Sequence, residues 1–177
     1  SPVNGTVKIN DGDSSTDRRE VSLNLFSETA TKIKISQSDT FSSVLEEPYL
    51  ANTPTGAMVK TGYPLSSLAG VKSVYVRFED ASGSFIVAND SINLVGPSTY
   101  SITTPDPLPL TTFNLHLRPV ADNANEMLIT EDYAQLTAGT GWASFSYAFD
   151  FPLQNFEGAH KIYARYRNAG FVETPVM

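Results

Sequence analysis

The segment KSVYVRFEDASG (residues 72–83) alternates Val74, Val76 and Phe78 with Tyr75 and Arg77, then closes on Asp80 and Gly83. Apolar residues at every second position, rich in β-branched and aromatic types, predict a half-buried strand. Val74, Val76 and Phe78 then face a core, and Tyr75 and Arg77 take the other face. Asp bonds nearby backbone amides and Gly accepts positive φ, so residues 80–83 predict a hairpin turn.

Nearly the same phrase recurs as HKIYARYRNAG (residues 160–170). Pro64, Gly70, Tyr75 and Arg77 match Pro152, Gly158, Tyr163 and Arg165 at one constant offset, about half of the 177-residue chain. Ile162, Ala164 and Tyr166 stand where Val74, Val76 and Phe78 stood. Repetition at that period predicts two copies of one domain, residues 1–96 and 97–177. The join, LVGPSTY (residues 94–100), is short, which predicts restricted hinge motion.

The rest of the chain carries the same period. VSLNL (residues 21–25) and FNLHL (residues 113–117) predict matching strands whose inward pairs are Val21/Phe113, Leu23/Leu115 and Leu25/Leu117. KIKIS (residues 32–36), EMLIT (residues 126–130), ASFSYAF (residues 143–149) and a last strand over residues 171–176 follow. In the third of these, Phe145, Tyr147 and Phe149, with Phe151 beyond, predict one aromatic strand face. No apolar pattern keeps helical spacing over ten residues. Alternate prolines at Pro105, Pro107 and Pro109 exclude a central strand there. Short strands between Gly, Pro, Asn and Asp clusters predict an all-β chain of two tandem antiparallel β-sandwiches, about seven strands each.

GVKSVYVRFEDASG (residues 70–83), with the VSLNL and KIKIS strands before it, resembles a bacterial immunoglobulin-like, fibronectin-type-III-like repeat of surface and secreted proteins. The second phrase keeps Gly158, Lys161, Tyr163, Ala169 and Gly170, but YRNAG replaces the family's Phe-x-Asp pattern. The resemblance implies an exported or cell-surface protein, built as a stalk, spacer or adhesive unit among neighbouring domains.

Composition narrows the chemistry. There are no cysteines, so disulfides, thiolate nucleophiles and Cys–zinc sites are excluded. The net charge of −7 is shared almost evenly by the two halves, which argues against nucleic acid and anionic membranes. No apolar run is long enough to insert into a bilayer. The opening SPVNG reads as a linker with no signal peptide, as in a cytosolic protein or an excised piece of a longer chain.

The two histidines, His116 and His160, align with ordinary polar positions and predict solvated surface side chains. The loop NDGDSSTD (residues 10–17) spaces Asp11, Asp13 and Asp17 like the start of a calcium loop, but lacks its closing glutamate. No metal or cofactor is expected. Glu46/Glu47 and Glu131/Asp132 are adjacent carboxylates without a cleft to face across, so no enzyme activity is expected.

The binding candidates are Trp142, the lone tryptophan, and the duplicated Tyr75/Arg77 and Tyr163/Arg165. Their rings and guanidinium groups suit a sugar or a carboxylate, or simply each other. The sequence thus points to a non-catalytic module, a spacer or a unit binding another protein. A carbohydrate-binding module, or a domain flanking an exported enzyme, is the alternative.

Overall fold

The computed structural model describes residues 3–177; Ser1 and Pro2, at the head of the SPVNG linker, lie outside the described residues. Strands take 47% of the chain and helix 5%, so the fold is all-β. The chain divides into two compact units. One comprises residues up to Ser66 together with Gly70–Val95, and the other Ser67–Ala69 with Gly96–Met177.

Among the described residues, the first unit has eight strands: β1 (Thr6–Ile9), β2 (Ser15–Thr16), β3 (Glu20–Phe26), β4 (Lys32–Ser36), β5 (Leu45–Pro48), β6 (Met58–Pro64), β7 (Gly70–Glu79) and β8 (Phe85–Leu94). They form a three-stranded sheet, β1-β3-β6, and a five-stranded sheet, β2-β8-β7-β4-β5. The pairing is antiparallel except that β2 runs parallel to β8, a departure from the wholly antiparallel expectation. Val7, Ile9, Val21, Leu23 and Leu25 from one sheet, and Ile33, Ile35, Val74, Val76 and Phe78 from the other, are all buried. The turn after β7 forms as expected: Asp80 Oδ1 accepts from Ser82 N (2.9 Å) and Ser84 N (3.0 Å), and Gly83 has φ +88°.

The second unit has six strands and one short helix: β9 (Ser98–Thr103), β10 (Asn114–Asp122), β11 (Glu126–Thr130), α1 (Tyr133–Ala138), β12 (Ala143–Ser144), β13 (Phe149–Pro152) and β14 (Tyr163–Arg167). Its sheets are β13-β10-β9 and β12-β11-β14. Asp132 caps α1 through Ala134 N, and Gly139 ends it in the left-handed conformation, the usual arrangement at a helix start and stop. Leu115, Leu117 and Leu153 anchor one core cluster, and Ala121, Met127 and Tyr166 a second.

Three expectations are corrected here. Residues 143–149 are not one strand. β12 pairs with β11 and β13 with β10, so the chain changes sheets between them. Ser146 makes the corner: its Oγ donates to Ala148 O at 2.7 Å, a local bond that competes with ladder pairing. Phe145 and Tyr147 therefore do not share a strand face with Phe149 and Phe151. Residues 171–176 form only a bridge at Glu173, although Ala164 and Met177 exchange both backbone bonds and Thr174 N donates to Tyr166 O.

The third correction concerns register. Glu20 and Val21 pair with Pro64 and Tyr63, whereas Asn114 and Leu115 pair with Pro152 and Phe151. With Pro64 matched to Pro152, Val21 corresponds to Leu115, not to Phe113. Phe113 precedes β10 and is 42% exposed. An alternating pattern looks the same after a slide of two residues; the partner strand decides which position is which.

Candidate functional site

On β7, the outward side chains meet charges from β4 and β5. The register sets Glu79 opposite Lys32 and Arg77 opposite Lys34. The Glu79 side chain, only 7% exposed, lies 2.9 Å from Lys32 Nζ, 3.4 Å from Lys34 Nζ and 2.7 Å from Arg77 Nε. Glu46 closes the cluster on both lysines, at 3.3 and 3.5 Å. The hydrogen bond from Lys32 holds the Glu79 carboxyl below the usual carboxylate range, as an acid surrounded by cations must be. The Arg77 guanidinium also lies 3.6 Å above the Phe85 ring. Arg77 and Tyr75 share this outer face, both half-buried.

On β14, the corresponding residues have found different partners. Arg165 Nη2 is 3.1 Å from Glu173 Oε2, and its Nε donates to Thr174 O at 3.4 Å. Tyr163 packs edge-on against Tyr133 of α1, centroids 5.2 Å apart, with Lys161 Nζ 5.2 Å above its own ring. Trp142 stacks on Arg167 (4.3 Å), and the same guanidinium faces the Phe171 ring (4.9 Å) and bonds Glu126 Oε2 (2.6 Å). Trp142 is therefore brought to the outer face of β14, two residues from Arg165, with its ring engaged by a cation.

This explains a charge reversal visible in the sequence. Glu79 stands where the second phrase has Arg167. Its cross-strand partner Lys32 is replaced by Glu126, which sits directly opposite Arg167. The two charges have exchanged strands and the pair survives, as cross-strand complementarity requires. The sequence displays one half of the exchange, Glu79 against Arg167, and hides the other, because residues 126 and 167 become neighbours only through the register.

His116 is a surface side chain, 57% exposed and 2.9 Å from Asp106. His160 is not: its side chain is 13% exposed and its Nδ1 lies 2.6 Å from Glu131 Oε1, whose own side chain is 9% exposed. Nε2 faces Phe156 O at 3.0 Å. The expectation of a solvated His160 fails because Glu131, at the end of β11, and Phe156, in the loop of residues 154–160, both contact the ring. Nothing in the sequence marks Glu131 as that partner. In the acidic loop, Asp11 Oδ1 accepts from Asn24 Nδ2 at 3.0 Å, and among the described residues no three carboxylates or histidines converge as metal ligands would.

The bond to Glu131 raises the His160 pKa. A histidine with a raised folded-state value stabilises the fold below its unfolded value, and that contribution disappears as pH rises through the folded value. Urea unfolding of the intact chain should therefore show stability declining from about pH 6.5 upward. Glu131→Gln should flatten that slope; an unchanged slope would place its origin elsewhere.

No protein-family profile matches this chain, and no curated protein matches it. Two solved structures align with most of it. One is a tetra-tandem repeat in the extending region of a large adhesion protein, with 13% identity and a TM-score of 0.39 over 99% of this chain. This chain spans 48% of that repeat. The other comprises fibronectin(III)-like modules of Clostridium thermocellum CbhA, with 11% identity and a TM-score of 0.32, covering 97% of this chain and 90% of that one. The immunoglobulin-like assignment rests on the strand topology itself. No helix among the described residues is long and apolar enough to cross a membrane.

Proposed function

We infer that the chain is a non-catalytic pair of immunoglobulin-like modules, residues 1–96 and 97–177, from a longer surface or secreted protein, where it acts as a spacer or protein-interaction unit. One observation carries this reading. The side chains best suited to grip a ligand are already engaged within their own units: Arg77 by Glu79 and Phe85, Arg165 by Glu173, and Trp142 by Arg167. Such pairs hold the outer sheet faces in one arrangement and already occupy part of the charge and ring surface that a sugar or a carboxylate would use. The division of the chain at Val95/Gly96 and the matching β4–β7 and β11–β14 registers support the two-copy organisation.

The test is a double substitution, Tyr75→Ser with Tyr163→Ser, measured in parallel by thermal melting and by adhesion and glycan-binding assays. A modest loss of stability with no loss of any binding activity is expected. A binding activity lost at unchanged melting temperature would instead make the duplicated tyrosines a recognition site.

The carbohydrate-binding alternative is favoured by Phe171. Its ring is 54% exposed beside the Trp142–Arg167 stack, and its φ is +63°, a conformation uncommon for a bulky residue. A glycan array on the wild type and on Trp142→Ala separates the two readings.

A further inference from the structure

In the second unit, the proline-rich loop and the chain after β13 border an open cavity of about 750 Å³, within the size range of small-molecule sites. Its walls include Leu108, Pro109, Phe113, Phe156 and Ile162, with His160 among them. Leu108, Phe156 and Phe113 are 77%, 45% and 42% exposed, so three large apolar side chains from two loops line one opening instead of joining the core. The aromatic surfaces are ordered: Phe156 stacks on His160 at 4.3 Å, and Phe113 meets the imidazole at a steep angle, 6.4 Å away. Charge complementarity sets the ligand class. The lining includes no Lys or Arg, the His160–Glu131 pair sums to zero, and the remaining lining charge is the Glu157 carboxylate. An anion gains nothing here, and a flat apolar ring gains stacking and burial.

We propose that this cavity binds an uncharged aromatic small molecule, and that a doubly hydrogen-bonded, protonated His160 holds the Phe156 wall in the binding position. Both ring nitrogens face acceptors, Glu131 Oε1 at 2.6 Å and Phe156 O at 3.0 Å. Two acceptors need two N–H donors, which only the imidazolium supplies. Glu131 Oε2 also accepts from Gln154 N at 2.7 Å, so the ion pair ties residues 154, 156 and 160 to the end of β11. Loss of the proton leaves a ring lone pair against an oxygen and releases one of these ties. The other charged groups nearby have separate engagements. Lys161 Nζ lies over the Tyr163 ring, Asp132 caps α1 through Ala134 N, and Glu157 lines the cavity. The raised pKa of His160 has the direction this geometry requires.

The site is independent of the Tyr–Arg pairs and of Trp142, so it goes beyond the module reading and can fail separately from it. The test is amide chemical-shift mapping of the intact chain titrated with indole, and with phenylacetate as the anionic counterpart. Indole should shift the amides of Leu108, Leu110, Phe113 and residues 156–159 saturably, and phenylacetate should not. Indole affinity should fall about fivefold to tenfold between pH 6 and pH 9, the cost of one lost hydrogen bond. His160→Gln should bind weakly at both values. If that variant unfolds, the wild-type imidazole titration replaces it, and its midpoint should coincide with the fall in affinity. Indole shifts centred on Trp142 and Phe171, equal binding of phenylacetate, or a pH-independent affinity would each overturn the proposal.

Discussion

Phe78→Ala should destabilise the first unit by about 3–5 kcal/mol, the range for deleting a buried aromatic ring and leaving its cavity. Phe78 is fully buried and meets Tyr49 edge-on at 6.3 Å. Its ring also lies so close to the backbone of Gly5 that a Cβ there would collide with it, so neighbouring atoms already fill the space on that side. The adjacent substitution, Arg77→Ala, should cost under about 1 kcal/mol. Arg77 is partly exposed, and Glu79 would keep Lys32 and Lys34 after its loss. Urea denaturation of both variants checks the pair of values. The reverse order would mean that the strand presents the opposite face to the core.

Tyr166→Ala should cost the second unit a similar amount, about 3–5 kcal/mol. Tyr166 is the counterpart of Phe78 and is equally buried, packed edge-on against Phe145 at 5.3 Å. It differs in its hydroxyl, which donates to Ser101 O at 2.8 Å and so links β14 to β9 of the opposite sheet. Burial pushes the phenol up to about 12, so it remains a neutral donor throughout the physiological range. Tyr166→Phe keeps the ring and leaves the Ser101 carbonyl without this donor. Its cost should be about 1–2 kcal/mol. Thermal unfolding of the two variants separates the packing contribution from the hydrogen bond. Equal losses would show that the hydroxyl, not the ring, dominates.

The duplicated phrase shows why some of this was legible in advance. Val74, Val76 and Phe78 were placed inward by alternation alone, and the structure buries all three. Asp80 and Gly83 announced the turn by their own backbone chemistry. Such features depend on residues within a few positions of one another, so a linear reading contains the whole cause. The aromatic run over residues 143–151 alternates as well, but alternation does not record which sheet receives each half. The corner at Ser146 had to be seen.

The amino-acid sequence by itself determined the all-β class, the inward face of the Val74–Phe78 strand and the turn after it, because side-chain period and turn chemistry are local properties. Tertiary structure decided the rest. It slid β10 by two residues relative to the expected match, since an alternating pattern has no memory of its register until a partner strand supplies one. It exchanged the Lys32–Glu79 pair for Glu126–Arg167, and it closed Glu131 onto His160 across 29 positions. Each of these depends on two segments distant in sequence meeting at atomic distance. Whether a charge is paired or vacant, and whether a histidine is solvated or latched, is a property of that meeting and not of either segment alone.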